Sequence, residues 1–364
     1  MVFKVLVLGG YGTFGSRIAR RLAITEGCSV IVGGRNTQSA EKYARELSLL
    51  SKRINNIDVT TAVFDAHNAN MLKQVIQENS INCVVHTAGP FQNHDNYKIA
   101  KCIIENGSHY IDIADARRYI CDFKQTLDGL AKQHNVVAVT GASSVPAISS
   151  AVLDHMIDKI HHENPMIVRD ILAPDLNHCD KRDTMEDLPV VSDQPTKLYL
   201  QLHHIDIGIN PGNQTPRGIA TVASILSYCG KPIAGWKNGT ETMICGWQDV
   251  VSRAYPLPYT PQRYIASCDV PDIELFPVKY NSPSVSFKAG LELSFLTLST
   301  FLLSKLVQVG LISNLANYAS PLAKLSELLK PFGSTCGAMH VEIEYSLQKV
   351  SSSSSSSSSA VSTT

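Results

Sequence analysis

The 364-residue chain is long enough for two domains of ordinary size, each with its own core. With 44% hydrophobic and 18% charged residues it reads as a globular protein on the apolar side, neither fibrous nor disordered. Thirty-two basic residues balance thirty-two acidic ones, so no net field favours nucleic acid, and nine scattered cysteines without a Cys-x-x-Cys pair read as reduced intracellular thiols.

The chain opens on an almost entirely apolar run, Lys4 to Gly9, as expected of a strand buried on both faces of a parallel sheet. It passes directly into Gly10-Tyr11-Gly12-Thr13-Phe14-Gly15, a match to G-x-G-x-x-G. Phe14, Ile18 and Leu22 then mark one face of a helix ending near Gly27, and a second strand, Ser29 to Val32, follows. Strand, glycine turn, helix and strand together are the context in which the hexamer holds a pyrophosphate. Gly10 permits the tight turn, Gly12 lets the backbone approach the phosphates, and Gly15 lets helix and strand pack closely. Helix N–H groups and the positive end of the helix dipole then face the anion.

Arg35 lies about 20 residues beyond the motif, where NAD enzymes place an acidic residue on the ribose 2′-hydroxyl. No Asp or Glu occurs between Gly27 and Asn36. A guanidinium suits a 2′-phosphate instead, which predicts NADP(H) over NAD(H). Asn36 is the expected N-cap of the next helix. A third strand, Val59 to Phe64, ends at Asp65, placed to bond the adenine amino group. The fourth, Cys83 to Thr87, is followed by Ala88-Gly89-Pro90, where small residues would let the nicotinamide half pass close to the backbone. A fifth strand (Tyr110 to Ile113) and a sixth (Val136 to Val139) complete a parallel sheet alternating with helices.

The helix from Ile148 to Ile160 leads out of this domain. Residues 174–196, with six acidic residues, read as a long loop. In Lys197 to Ile209, Leu198, Leu200 and Leu202 share one parity and Ile205, Ile207 and Ile209 the other, so a β-bulge is expected at His203-His204. Strands are expected at 242–247 after the Asn238-Gly239 turn, at 285–289 and at 341–347, with helices over 220–228, 291–309 and 315–329. The nine serines from Ser351 form a disordered tail. The chain thus divides into a Rossmann-type doubly wound parallel sheet over 1–150, an α+β substrate or dimerisation domain with a mixed or antiparallel sheet over 151–350, and the tail over 351–364.

The stretches Gly9 to Gly15, Gly34-Arg35-Asn36, Thr87 to Phe91, Tyr110 to Asp115, Gly141 to Pro146, Thr215 to Gly218 and Cys268 to Asp272 resemble the saccharopine dehydrogenase-like oxidoreductases. The resemblance implies an NADP-binding first domain, a second domain built on a sheet, and hydride chemistry. Saccharopine-forming members carry Gly-Leu-Asp-Pro-Gly after the sixth strand; here Ser143 to Ala147 stands there without the aspartate. The resemblance therefore points to a less characterised branch with a different substrate.

Hydride transfer also needs a proton donor or acceptor. Tyr97 and His94 are the expected donors, with Gln92, Asp115 and Ser144 in the same cleft and Arg217 placed to clamp a carboxylate or phosphate. The Tyr-x-x-x-Lys pair of short-chain dehydrogenases is not expected in usable form, because Tyr97 is followed at once by Lys98. His161-His162, His178-Cys179 and His203-His204 match no zinc spacing, so no metal is expected. The first apolar run is too short, and without a basic leader, for a signal peptide, which suggests a cytoplasmic protein. Within 291–312 Glu292 and Lys305 bracket the uncharged run Leu293 to Ser304, short of the ~20 residues that span a bilayer, although such a helix can lie on a membrane surface. The sequence leaves two functions open: NADP-linked reduction or oxidation of a C=N, C=O or C=C group in a small or lipid-like substrate, or an NADP-binding sensor or scaffold without turnover. It also leaves open a membrane surface, met through 291–312, and a second copy of the chain as partners.

Overall fold

The computed structural model describes residues 2–54, 57, 59–89, 91, 97–167, 198–216, 219–255 and 262–349. The chain forms two compact units. One comprises Met1–Ile148, Thr215–Ser227 and Asn314–Leu329; the other comprises Ser149–Gln214, Tyr228–Ser313 and Lys330–Thr364. Two stretches expected in the second domain thus group with the first. The 174–196 loop and the serine tail lie outside the described residues.

The first unit alternates β1 (Phe3–Leu8), α1 (Gly15–Ala23), β2 (Cys28–Gly34), α2 (Thr37–Ile54), β3 (Thr60–Val63), α3 (Ala69–Asn79), β4 (Cys83–His86), α4 (Lys98–Glu105), β5 (His109–Asp112), α5 (Arg117–Gln133) and β6 (Ala138–Val139). The strands pair in parallel in the order β3-β2-β1-β4-β5-β6. Strand order reverses between β1 and β4, where such sheets bind ligands beyond the carboxyl ends of their strands. The central strands are apolar because both faces are covered: Leu6, Val7, Val32 and Val84 have no solvent exposure to speak of.

Helix α1 corrects the expected apolar stripe. Its inward line is Gly15, Ala19 and Ala23; Ile18 and Leu22 are only partly buried, and Phe14 is 51% exposed. Small residues bring the helix axis close to the sheet, so the glycine motif and the packing face are one line of residues. Asn36 caps α2 as expected, its Oδ1 accepting from Ser39 N at 2.8 Å. Helix α5 has no counterpart in the expected elements, though Tyr119, Ile120, Phe123, Leu127 and Ala131 bury one face of it.

The chain continues through α6 (Ser149–Glu163), β7 (Leu198–Asn210), α7 (Ile219–Ser227), β8 (Pro232–Lys237), β9 (Thr240–Cys245), β10 (Val251–Arg253), β11 (Arg263–Ser267), α8 (Asp272–Lys279), β12 (Val285–Ala289), α9 (Ser294–Gln308), α10 (Ala319–Leu328) and β13 (Ala338–Lys349). In the second unit the sheet path is β10-β11-β12-β7-β13, with β8 pairing β12 and β9. Among the described strands β12 and β7 pair in parallel and the other pairs are antiparallel, so the sheet is mixed. The bulge falls where expected: β13 passes from partner His204 to Leu202, leaving His203 extra. That single residue keeps Leu202, Ile205 and Ile207 all buried. Asn238 and Gly239, both at positive φ, join β8 to β9 as a two-residue hairpin.

Among the described residues no helix is long and apolar enough to cross a membrane. Helix α9, the core of the apolar stretch 291–312, turns hydroxyl residues inward. Thr297 and Ser304 are fully buried, while Phe295, Leu298 and Leu302 are 52%, 44% and 61% exposed.

Candidate functional site

At the carboxyl end of β1, Gly9 (φ +75°) turns the chain, and the N–H groups of Gly9 and Gly10 both donate to Gly33 O, at 2.9 and 3.1 Å. Three glycines meet three different constraints. A Cβ on Gly10 would lie 2.9 Å from Val7 O, and one on Gly15 would lie 2.2 Å from Gly9 O and 2.6 Å from Thr87 Oγ1. A Cβ on Gly12 would meet only Gly9 O, at 3.1 Å, so its outer side is open to an approaching group. Thr87 Oγ1 donates to Leu8 O at 2.7 Å and fastens the ends of β1 and β4. Among the described residues no acceptor takes the N–H groups of Thr13, Phe14 or Gly15. The loop leading into α1 and the helix's first residue therefore present free donors, and α1 its dipole, to an anion, and the cradle fits a pyrophosphate.

At the end of β2 the Tyr11 ring lies against Gly34, where a Cβ would come within 2.4 Å of it. Tyr11 Oη accepts from Asn36 N at 2.9 Å, so the phosphate loop is tied to the turn that carries the exposed Arg35. Asp65 is exposed just past β3 and accepts from His67 N at 3.1 Å; Phe64 N donates to Gly34 O beside it.

At the end of β4, Ala88 N donates to His86 Nδ1 at 3.2 Å, and a Cβ on Gly89 would meet nothing nearer than the Phe91 ring at 3.5 Å. His86 had no assigned role in the sequence. Its 5% exposure pushes its pKa down to about 4, helped by His67, so the ring is neutral and shapes the Ala88 turn as an acceptor. Its strand placement hides it from motif reading.

Tyr97 sits at positive φ before α4 and inside an aromatic cluster with Tyr119 and Phe123. Its hydroxyl donates to Tyr119 O at 2.8 Å, and burial pushes its pKa up to about 12, with Asp122 and other anions adding to the rise. Lys101 does stand four residues on, so the Tyr-x-x-x-Lys spacing is present after all. The phenol proton is nonetheless spent on a backbone carbonyl. Ser144 begins a wide turn at 144–148 after β6, and Asp115 is exposed beyond β5. Pro90, Gln92, His94 and Arg217 lie outside the described residues.

Residues 5–154 match the saccharopine dehydrogenase NADP-binding domain. The first domain belongs to that family. NADP is accordingly the cofactor of this NADP-binding domain, and the glycine cradle, Arg35 and the Asn36 turn are the residues that suit it. The chain is similar in fold to the apo saccharopine dehydrogenase (L-Glu forming) of Saccharomyces cerevisiae, with a TM-score of 0.51 at 12% identity over 79% of this chain and 54% of that one. It is also 26% identical over 151 residues to the Caenorhabditis elegans "Lipid droplet localized protein", covering 40% of this chain and 34% of the relative. This chain thus spans about a third of that relative and about half of the yeast enzyme's chain.

The second unit carries a polar cluster on one face of its sheet. Asp206 accepts from Ser286 Oγ and from His340 Nε2 (3.3 Å), Ser286 also meets His204 Nε2 at 2.9 Å, and Tyr255 Oη meets His340 Nδ1 at 3.2 Å. Gly208 makes room for the His340 ring, since a Cβ there would lie 2.1 Å from it. Burial opposes ionisation of Asp206, but these hydrogen bonds outweigh it and hold the carboxylate at about 2. Among the described residues no three His, Cys, Asp or Glu side chains form a metal-ligating group.

Proposed function

We propose that this chain is an NADP-dependent oxidoreductase acting on a C=N, C=O or C=C group of a small or lipid-like substrate. The observation that carries the reading is the cradle at the β1/β4 switch point, closed to a side chain at Gly15 and open at Gly12, in a domain of an NADP-binding family. The cofactor supplies hydride when bound. The chain's own part is to fix the pyrophosphate on the α1 N–H groups, hold the 2′-phosphate near Arg35, and keep the Ala88-Gly89 backbone free of bulk. The rival is an NADP sensor that keeps the fold without turnover, and Tyr97's engaged hydroxyl favours keeping it in view. Quenching of intrinsic fluorescence by NADPH tests the site: binding to the wild type and a loss of about tenfold or more in Gly15→Ala are expected. Gly15→Ala binding like the wild type would sink the site. NADPH oxidation with an imine, ketone or enoyl substrate supports the enzyme, and binding without oxidation of any of them supports the sensor.

We also infer that the second unit meets a lipid surface through α9. Its outward Phe295, Leu298 and Leu302 reverse the usual burial order, and the relative named for lipid droplets supports the direction. In flotation with phospholipid-coated triolein droplets the wild type should rise with the droplets. Leu298→Ser with Leu302→Ser should stay below, since each leucine contributes about 1.5–3 kcal/mol when buried. A wild type that remains in the aqueous layer rules this out.

A further inference from the structure

We propose that Tyr11 is a specificity-determining residue for NADP, its hydroxyl donating to the 2′-phosphate beside Arg35. The inference rests on the NADP reading of the first domain and assigns one more side chain to it. The phenol oxygen accepts from Asn36 N at 2.9 Å, and that bond leaves the hydroxyl's own proton unspent. Among the described residues nothing accepts it. Asn36 Oδ1 accepts from Ser39 N at 2.8 Å as the cap of α2, and no carboxylate lies between Gly27 and Asn36.

The ring cannot drift from this position. It lies over Gly34, where any side chain would displace it, and the loop behind it is pinned by the two bonds to Gly33 O. Phenylalanine would match the packing but not the bond from Asn36 N, and that bond uses only the hydroxyl's oxygen, leaving its proton for a ligand. The end of β2 is where this fold meets the adenosine ribose. A phosphate dianion there takes a charge-assisted bond about twice as strong as the one a ribose hydroxyl would take, so the same proton discriminates between the two dinucleotides. Tyr11 also joins the pyrophosphate loop to the Arg35 turn, so both anionic groups of one ligand settle on a single braced surface.

Calorimetric titration of the full chain with 2′,5′-ADP and with 5′-AMP tests this without requiring turnover. The wild type should prefer 2′,5′-ADP. Tyr11→Phe should weaken 2′,5′-ADP about tenfold and leave 5′-AMP within about twofold, with a melting temperature lowered by no more than the loss of the one bond from Asn36 N explains. Equal losses for both ligands would overturn the proposal by assigning Tyr11 to loop support, and so would no loss for either. A wild type with no preference for 2′,5′-ADP overturns the NADP reading itself, and this proposal with it.

Discussion

Asp272 and Asp206 are both carboxylates of the second unit, and their surroundings drive them in opposite directions. Asp206 is fed by two donors and stays ionised. Asp272, in the first turn of α8 and with no exposed surface, accepts from Ser149 on one oxygen, and the other has no partner among the described residues. Burial pushes its pKa up to about 6, against the smaller pull of Ser149. Because the folded value lies above the unfolded one, the neutral acid costs nothing at low pH. The penalty grows as pH rises from about 4 to about 6 and is complete above that. A rise of that size corresponds to roughly 3 kcal/mol. Urea midpoints of the wild type should therefore fall across this window beyond what Asp272→Asn shows, and parallel pH profiles for the two proteins would refute the assignment.

At the scale of elements, what was legible followed from periodicity and punctuation. Runs of Val, Leu and Ile marked β1, β2 and β4, Asn36 marked the start of α2, and a change of parity marked the bulge at His203. Helix α1 was legible in place and wrong in face, because glycine and alanine carry little hydrophobic weight yet form its closest contact. Helix α5 was missed outright. Its buried residues are interleaved with Arg117, Lys124 and Lys132 and it has no side-chain cap at its start. The strands β10 and β11 and helix α8 were missed for a similar reason, being short and set among prolines. The cofactor cradle was readable because one contiguous hexamer builds it. The Tyr11–Asn36 bond was not, since it exists only once the parallel sheet has brought the ends of β1 and β2 together, and the His86–Ala88 bond was not, since it is local but belongs to no recognised motif. The NADP preference read from Arg35 needed one residue type at one spacing, and that is local information.

The whole molecule is assembled from interrupted stretches of chain, and the β7–β13 pairing is the clearest case. Twelve residues of β13 lie antiparallel along β7, and His203 bonds Ser346 across a sequence separation of 143 residues. A chain ending at Gly337 should leave the edge of β7 bare, exposing ladder groups and the apolar Ile205–Ile209 face near them. The expected outcome is a shift of the protein into the pellet on expression, with NADPH binding lost along with it. A soluble, cooperatively melting truncated protein would show that β13 is dispensable. The same pairing has a consequence on the ribosome. At about 5–20 residues per second, β7 emerges on the order of ten seconds before the strand that completes its edge. For that interval one of the longest strands of the sheet waits with no permanent neighbour on that side, and the second unit cannot close until β13 has emerged.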